Sequence, residues 1–187
     1  MKRLLKLANS IKDKALRKKV VDLLKNPVMS HKDLASKYRP CDLKEAPASI
    51  QFHHIYKGGL VDHIYSVTLL SIAFAENLKK VYNVRVDMDA LIAGALLHDI
   101  GKLWILKNGP DGWETTDHTL DHTMLGTAEL YAREFPEKVV HIVASHFGSE
   151  GPTPPQTIEA VIFHHIDTLD ALIGTNKQDI LLQLLKK

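Results

Sequence analysis

The stretch DALIAGALLHDIGK, residues 89–102, sets the reading of everything around it. DALIAGALL is apolar almost all round, a pattern suited to a helix buried centrally among others. Asp87 stands where an N-cap belongs, so we expect a helix from Met88 to His98. Its far end carries two adjacent ionisable side chains, His98 and Asp99. Burying unpaired charge is expensive, so this pair needs a reason. Either it joins a metal or catalytic centre, or the histidine is bonded to carbonyls while Asp99 caps a turn.

Working outward, helical signals continue on both sides. Residues 10–25 read as an amphipathic helix with Ser10 as N-cap, Asp13 in the first turn, and a stripe of Ile11, Ala15, Leu16, Val20, Leu23 and Leu24. Asn26-Pro27 ends it. Ser30 is placed to cap a short helix reaching Tyr38, and residues 39–50 form a connecting loop. Gly58-Gly59 permits a tight turn before a long helix from Leu60 to Tyr82. Residues 105–118 form a loop or a small hairpin. Further helices are expected over 120–133, 137–146, 156–172 and 177–186, with the polar loop GSEGPTPP between two of them. Alternating runs of Val, Ile and Thr are nearly absent, so the fold class is all-α.

The chain has 187 residues, 45% hydrophobic and 25% charged, enough to bury a real core. Cys41 is the single cysteine, which excludes a disulfide framework and a thiolate zinc site. The N-terminal MKRLLKLANSIKDKALRKK lacks the long apolar run of a signal peptide, and no stretch reaches the roughly 20 apolar residues of a membrane span. We expect a soluble cytoplasmic protein without a membrane partner. Residues 1–44 carry 13 Lys/Arg against four Asp, whereas residues 45–187 carry 11 against 18 acidic residues. We therefore expect a basic N-terminal helical extension (1–44) packed on a main domain (45–187), together one structural unit. The basic arm either steers a polyanion or simply coats surface helices.

Six His/Asp positions fall on or just beyond expected helix ends: His63, His98, Asp99, His122, His146 and Asp167. Such ligands suit Mn, Fe, Ni, Co or Zn, and a bundle readily brings them to one point. The order H…HD…D, as His63, His98-Asp99 and Asp167, resembles the HD-domain metal-dependent phosphohydrolases. HHIYKGGLVDH (53–63), DALIAGALLHDIGK (89–102), HTMLG (122–126), IVASHFG (142–148) and IFHHIDTLDA (162–171) are similar to the HD domain of the YhaM-type 3′-to-5′ exoribonucleases.

The resemblance implies an HD-domain helical bundle. It places His63, His98, Asp99 and Asp167 around one divalent ion and His122 and His146 around a second, with Asp99 bridging and Asp170 behind them. It also departs at Phe147, where the family often has a histidine, and in leaving no room for the OB-type domain of the larger members. Two metals roughly 3.5–4 Å apart would activate water and neutralise phosphate oxygens. Asp99 and Lys102 are the catalytic candidates, and Lys102, His54, His118 and Tyr56 the substrate-binding ones. Tyr56 and Trp104 are the aromatics nearest the motifs, either stacking on a base or packing at the core or rim.

The activity expected first is hydrolysis of phosphoesters in nucleotides or short single-stranded nucleic acid, in the manner of a 3′-to-5′ exoribonuclease. A small-nucleotide phosphohydrolase, either a nucleoside monophosphatase or a cyclic-nucleotide phosphodiesterase, is one alternative. A non-catalytic binding module is another, against which the intact H…HD…D set argues.

Overall fold

The lead-in folds as α1 (Lys2–Ala8), α2 (Lys14–Lys25) and α3 (Lys32–Lys37) in a computed structural model that describes residues 1–175. The expected helix over 177–186 lies outside the described residues. Asp13, not Ser10, caps α2 by accepting from the N–H groups of Ala15 and Leu16 at 2.8 and 3.0 Å. Ser10 instead donates to Leu7 O and closes α1. Likewise His31 caps α3, because Ser30 is engaged elsewhere: its hydroxyl donates to Glu129 at 2.7 Å. In α2, Leu16, Val20, Leu23 and Leu24 are buried.

The main body follows as α4 (Gly59–Tyr82), α5 (Met88–Leu97) and the single turn α6 (Lys102–Ile105). Next come a hairpin of β1 (Leu106–Gly109) and β2 (Gly112–Thr115), then α7 (His122–Ala132), α8 (Glu137–Ala144) and α9 (Ile158–Ile173). The hairpin is antiparallel, with Asn108 opposite Trp113, and it is the one sheet among the described residues. The architecture is therefore the helical bundle expected from the sequence.

Helix α5 is the axis of the fold. Every residue from Ala90 to Leu97 is buried, and the helix packs against α1, α2, α4, α8 and α9. Asp87 caps it, accepting from Ala90 N–H at 3.1 Å. Gly94 lets α8 come close: a Cβ there would lie 2.6 Å from Ile142 Cγ2. Trp104 is wholly buried and donates from Nε1 to Pro27 O at 2.7 Å, stitching the lead-in to the body. Its ring therefore packs in the core and is closed to a ligand. No described helix is long and apolar enough to cross a membrane.

Candidate active site

Four helices converge where α5 ends. His63 lies on α4, His98 and Asp99 just past α5, His122 at the first residue of α7, His146 just past α8, and Asp167 on α9. The apolar faces of these helices pack against or beside α5, so the residues at the ends of α5, α7 and α8 meet His63 and Asp167, which project from within α4 and α9. Asp167 is thus a mid-helix residue and not at the helix end expected for it.

The distances divide the six into two connected groups. His63 Nε2 lies 3.2 Å from His98 Nε2, 3.0 Å from Asp167 Oδ1 and 3.7 Å from Asp99 Oδ2. His98 Nε2 lies 3.2 Å from Asp99 Oδ2 and 3.5 Å from Asp167 Oδ1. Ligand atoms bonded to one ion at about 2.1 Å stand roughly 3.0–3.4 Å from each other, so these spacings suit a shared cation. The second group is Asp99, His122 and His146, with Asp99 Oδ1 3.3 Å from His122 Nε2. Asp99 thus turns one oxygen to each group.

The imidazoles are oriented from behind. His98 Nδ1 lies 2.9 Å from Ala95 O and His146 Nδ1 2.7 Å from Val143 O. A carbonyl can only accept, so each Nδ1 carries the proton and each Nε2 lone pair faces the centre. His63 Nδ1 is 2.8 Å from Asp170 Oδ2, and Asp170 Oδ1 accepts from the Ser66 hydroxyl. In the middle, Asp99 Oδ1, Asp167 Oδ1 and His122 Nε2 are buried and, although Asp167 Oδ1 faces His63 Nε2 at 3.0 Å and Asp99 Oδ1 faces His122 Nε2 at 3.3 Å, none is aligned for a hydrogen bond. Buried polar atoms left unpaired on three converging residues fit a bound divalent cation.

The electrostatics agree. Burial alone would raise the Asp99 pKa, but His98, Lys102 and His122 outweigh it and hold the carboxyl well below the usual range. Asp167 is likewise ionised, burial being outweighed by His98, His63 and His146. Burial pushes His146 down to about 4, so it is neutral and its lone pair is free at neutral pH. His63 goes the other way: burial opposes its charge, but Asp167 and Asp170 bracket the ring and raise it to about 9.

His63, Asp99, His122, His146 and Asp167 line a cleft of about 470 Å³ that also includes Lys102, His53, Phe52 and Phe147, while His98 is fully buried behind it. Lys102 Nζ sits 2.6 Å from Asp99 Oδ2. Of the other substrate-binding candidates, none lies in the lining. His54 stands behind His53, the two Nδ1 atoms 3.0 Å apart, with Nε2 3.6 Å from Asp170. The Tyr56 hydroxyl donates to Asp62 at 2.9 Å. His118 stacks on Tyr38 at 4.3 Å between ring centroids, because Asp121 caps α7 and leaves His118 outside the helix. Phe52, by contrast, is a lining residue whose only signal in the sequence is its place beside His53-His54.

The family model described as HD domain matches residues 60–172. The dihydroneopterin 2′,3′-cyclic phosphate phosphodiesterase of Methanocaldococcus jannaschii is 49% identical over 178 residues, covering 93% of this chain and 70% of that protein. The 3′-5′ exoribonuclease YhaM of Oceanobacillus iheyensis is 34% identical over 146 residues, and that of Bacillus subtilis 32% over 151. The chain spans less than half of those two nucleases, 43% and 45% of their lengths. No solved structure matches the chain.

Proposed function

Since the chain belongs to the HD-domain family of phosphohydrolases, we propose that its substrate is a small nucleotide-like cyclic phosphate, whose phosphodiester it opens with water to a monoester. The observation that carries this reading is the 49% identity, over nearly the whole chain, to a phosphodiesterase whose name specifies a 2′,3′-cyclic phosphate. The dimensions of the cleft support it: about 470 Å³ suits one small ligand rather than a run of nucleotides. The exoribonuclease reading therefore takes second place to the cyclic-phosphate alternative.

His63, His98, Asp99 and Asp167 would hold one divalent ion, and Asp99, His122 and His146 a second. When bound, such ions supply Lewis acidity, ionising water and neutralising phosphate oxygens. The protein's own groups do the rest. The Ala95 and Val143 carbonyls fix the tautomers of His98 and His146, so these ligands need no rearrangement. The Lys102 ammonium, 2.6 Å from Asp99 Oδ2 and in the lining of the cleft, would meet a phosphate oxygen. In the reaction water attacks phosphorus, one ring P–O bond breaks, and the departing oxygen gains a proton. Cys41, the single thiol, does not compete with water: it lies outside the cleft, and burial pushes its thiol up to about 11.

The test is a substrate panel with added Mn²⁺: nucleoside 2′,3′-cyclic phosphates, 3′,5′-cyclic nucleotides, nucleoside monophosphates and short single-stranded RNA, with products followed by phosphorus NMR. Ring opening of a cyclic ester to a monoester is the expected result. Stepwise shortening of RNA with cyclic esters untouched would replace this reading by the exoribonuclease one.

A further inference from the structure

We infer that Phe147, assisted by Phe52, is the platform on which the planar heterocyclic ring of the substrate stacks, and so sets specificity at the organic end of the ligand. The inference deepens the proposed function and relies on it for where the phosphate sits.

The lining of the cleft has two chemically different parts. One is the His/Asp centre with Lys102. The other is a set of apolar side chains, Phe52, Phe147, Ala171 and Leu172, with Ser149, Glu150 and Thr168 also in the wall. A phosphate needs only the first. An ester whose remaining part is flat and aromatic would use both.

Phe147 is held where such a ring would lie. Its centroid is 4.6 Å from the His146 ring and 5.3 Å from the His122 ring, the latter nearly perpendicular at 86°. It therefore leans on the second group of candidate ligands and still leaves 43% of its surface open. A phosphate at Asp99, His122 and His146 would have its sugar-sized linker reach this ring directly.

The backbone beyond it is pinned. Gly148 has φ +63, and a Cβ there would lie 2.3 Å from the His164 ring. His164 Nδ1 in turn lies 2.7 Å from His146 O. The turn that carries Phe147 is thus fixed before any ligand arrives, which lowers the ordering cost of binding. Phe52 shares the lining and is 72% exposed. A single exposed phenylalanine needs no explanation, but two in the wall of the cleft that holds the polar centre offer aromatic surface to a ligand ring. Stacking on such rings tolerates many heterocycles and is worth roughly 5- to 150-fold in affinity.

The experiment is calorimetric titration of the Mn²⁺-loaded protein with two monoesters: guanosine 2′-monophosphate, and the 2′-monophosphate of methyl riboside, which lacks the ring system. Wild-type protein is expected to bind the guanosine ester about tenfold or more tightly, as stacking allows. Phe147→Leu should erase most of that preference, Phe52→Leu should reduce it, and Phe147→Tyr should keep it. Metal content and Tm are followed in each variant, and exposed Phe52 carries the test if the Phe147 variants fail to fold. Equal affinity for the two esters in the wild type, or a preference untouched in both leucine variants, overturns the inference. Intact hydrolysis of cyclic esters with no ring preference would remove the inference alone, whereas ring preference without such hydrolysis would support it and remove the proposed function.

Discussion

At the scale of single residues, the most informative side chain is one that need not touch the substrate. Asp167 and Asp170 stand three apart on α9, yet they meet different atoms of the same imidazole. Asp167 Oδ1 faces His63 Nε2 at 3.0 Å, and Asp170 Oδ2 faces Nδ1 at 2.8 Å. Ser66 fixes the second carboxylate. A carboxylate behind a ligating histidine orients the ring and makes it a better donor, and losing it commonly costs about 10–100-fold in metal affinity. Asp170→Asn preserves size and can still accept from Nδ1–H, but it removes the charge. We expect a drop of that order in Mn²⁺ or Zn²⁺ affinity in a chelator competition titration, with little change in fold. Unaltered affinity would show that Asp170 merely packs.

At the scale of elements, the corner after α5 decides how α7 delivers His122. Gly101 is pressed against that helix: a Cβ there would stand 2.0 Å from His122 O, a backbone atom with no freedom to swing aside. Gly101→Ala must therefore push the start of α7 away from Asp99. Overpacking of this kind typically costs about 1–3 kcal/mol. The expected outcome is a lower Tm together with a lower metal-to-protein ratio by elemental analysis, since His122 belongs to the second group. A lower Tm with full metal content would count against the link. The same corner shows what sequence could and could not reveal. Helix α5 was legible because it is apolar all round and carries its cap at Asp87, both local signals. The start of α2 was not, because Ser10 and Asp13 are equally good caps locally. The choice is made by Asp89, 76 residues away from Asp13, which accepts the N–H groups of Lys12 and Asp13. Ser30 was drawn off by Glu129 in the same way, 99 residues distant. The seven-residue α1 carries no legible signal because it buries only Leu4 and Ala8, too few positions to make a period. His/Asp spacing announced a centre, whereas the partition of its atoms into two groups, and Phe52 in its wall, depend on how distant helices meet.

For the whole molecule, concentrating so many ionisable groups in one buried place makes stability depend on pH in a way that reports the metal. Consider the protein stripped of metal by chelation. His53 and His146 are pushed down to about 3 and 4, in each case mainly by burial, against roughly 6.5 in an unfolded chain. The unfolded state then binds more protons than the folded one below pH ~6.5, so acid destabilises the fold through that range. Asp99, Asp167 and Asp170, all held below their ordinary values, add to the loss as they protonate. His63 acts oppositely. Raised to about 9, it contributes stability fully below pH ~6.5 and loses it as pH climbs through 9. The stripped protein should therefore be most stable near pH 6.5 and decline on both sides. An ion held as proposed would need the His63 Nε2 lone pair, so it would compete with the proton there and remove the alkaline decline. Thermal unfolding of stripped and Mn²⁺-loaded protein between pH 5 and 8.5 tests this. The Tm gain from metal should grow from pH 6.5 to 8.5, and a gain independent of pH would mean that His63 gives up no proton to the ion.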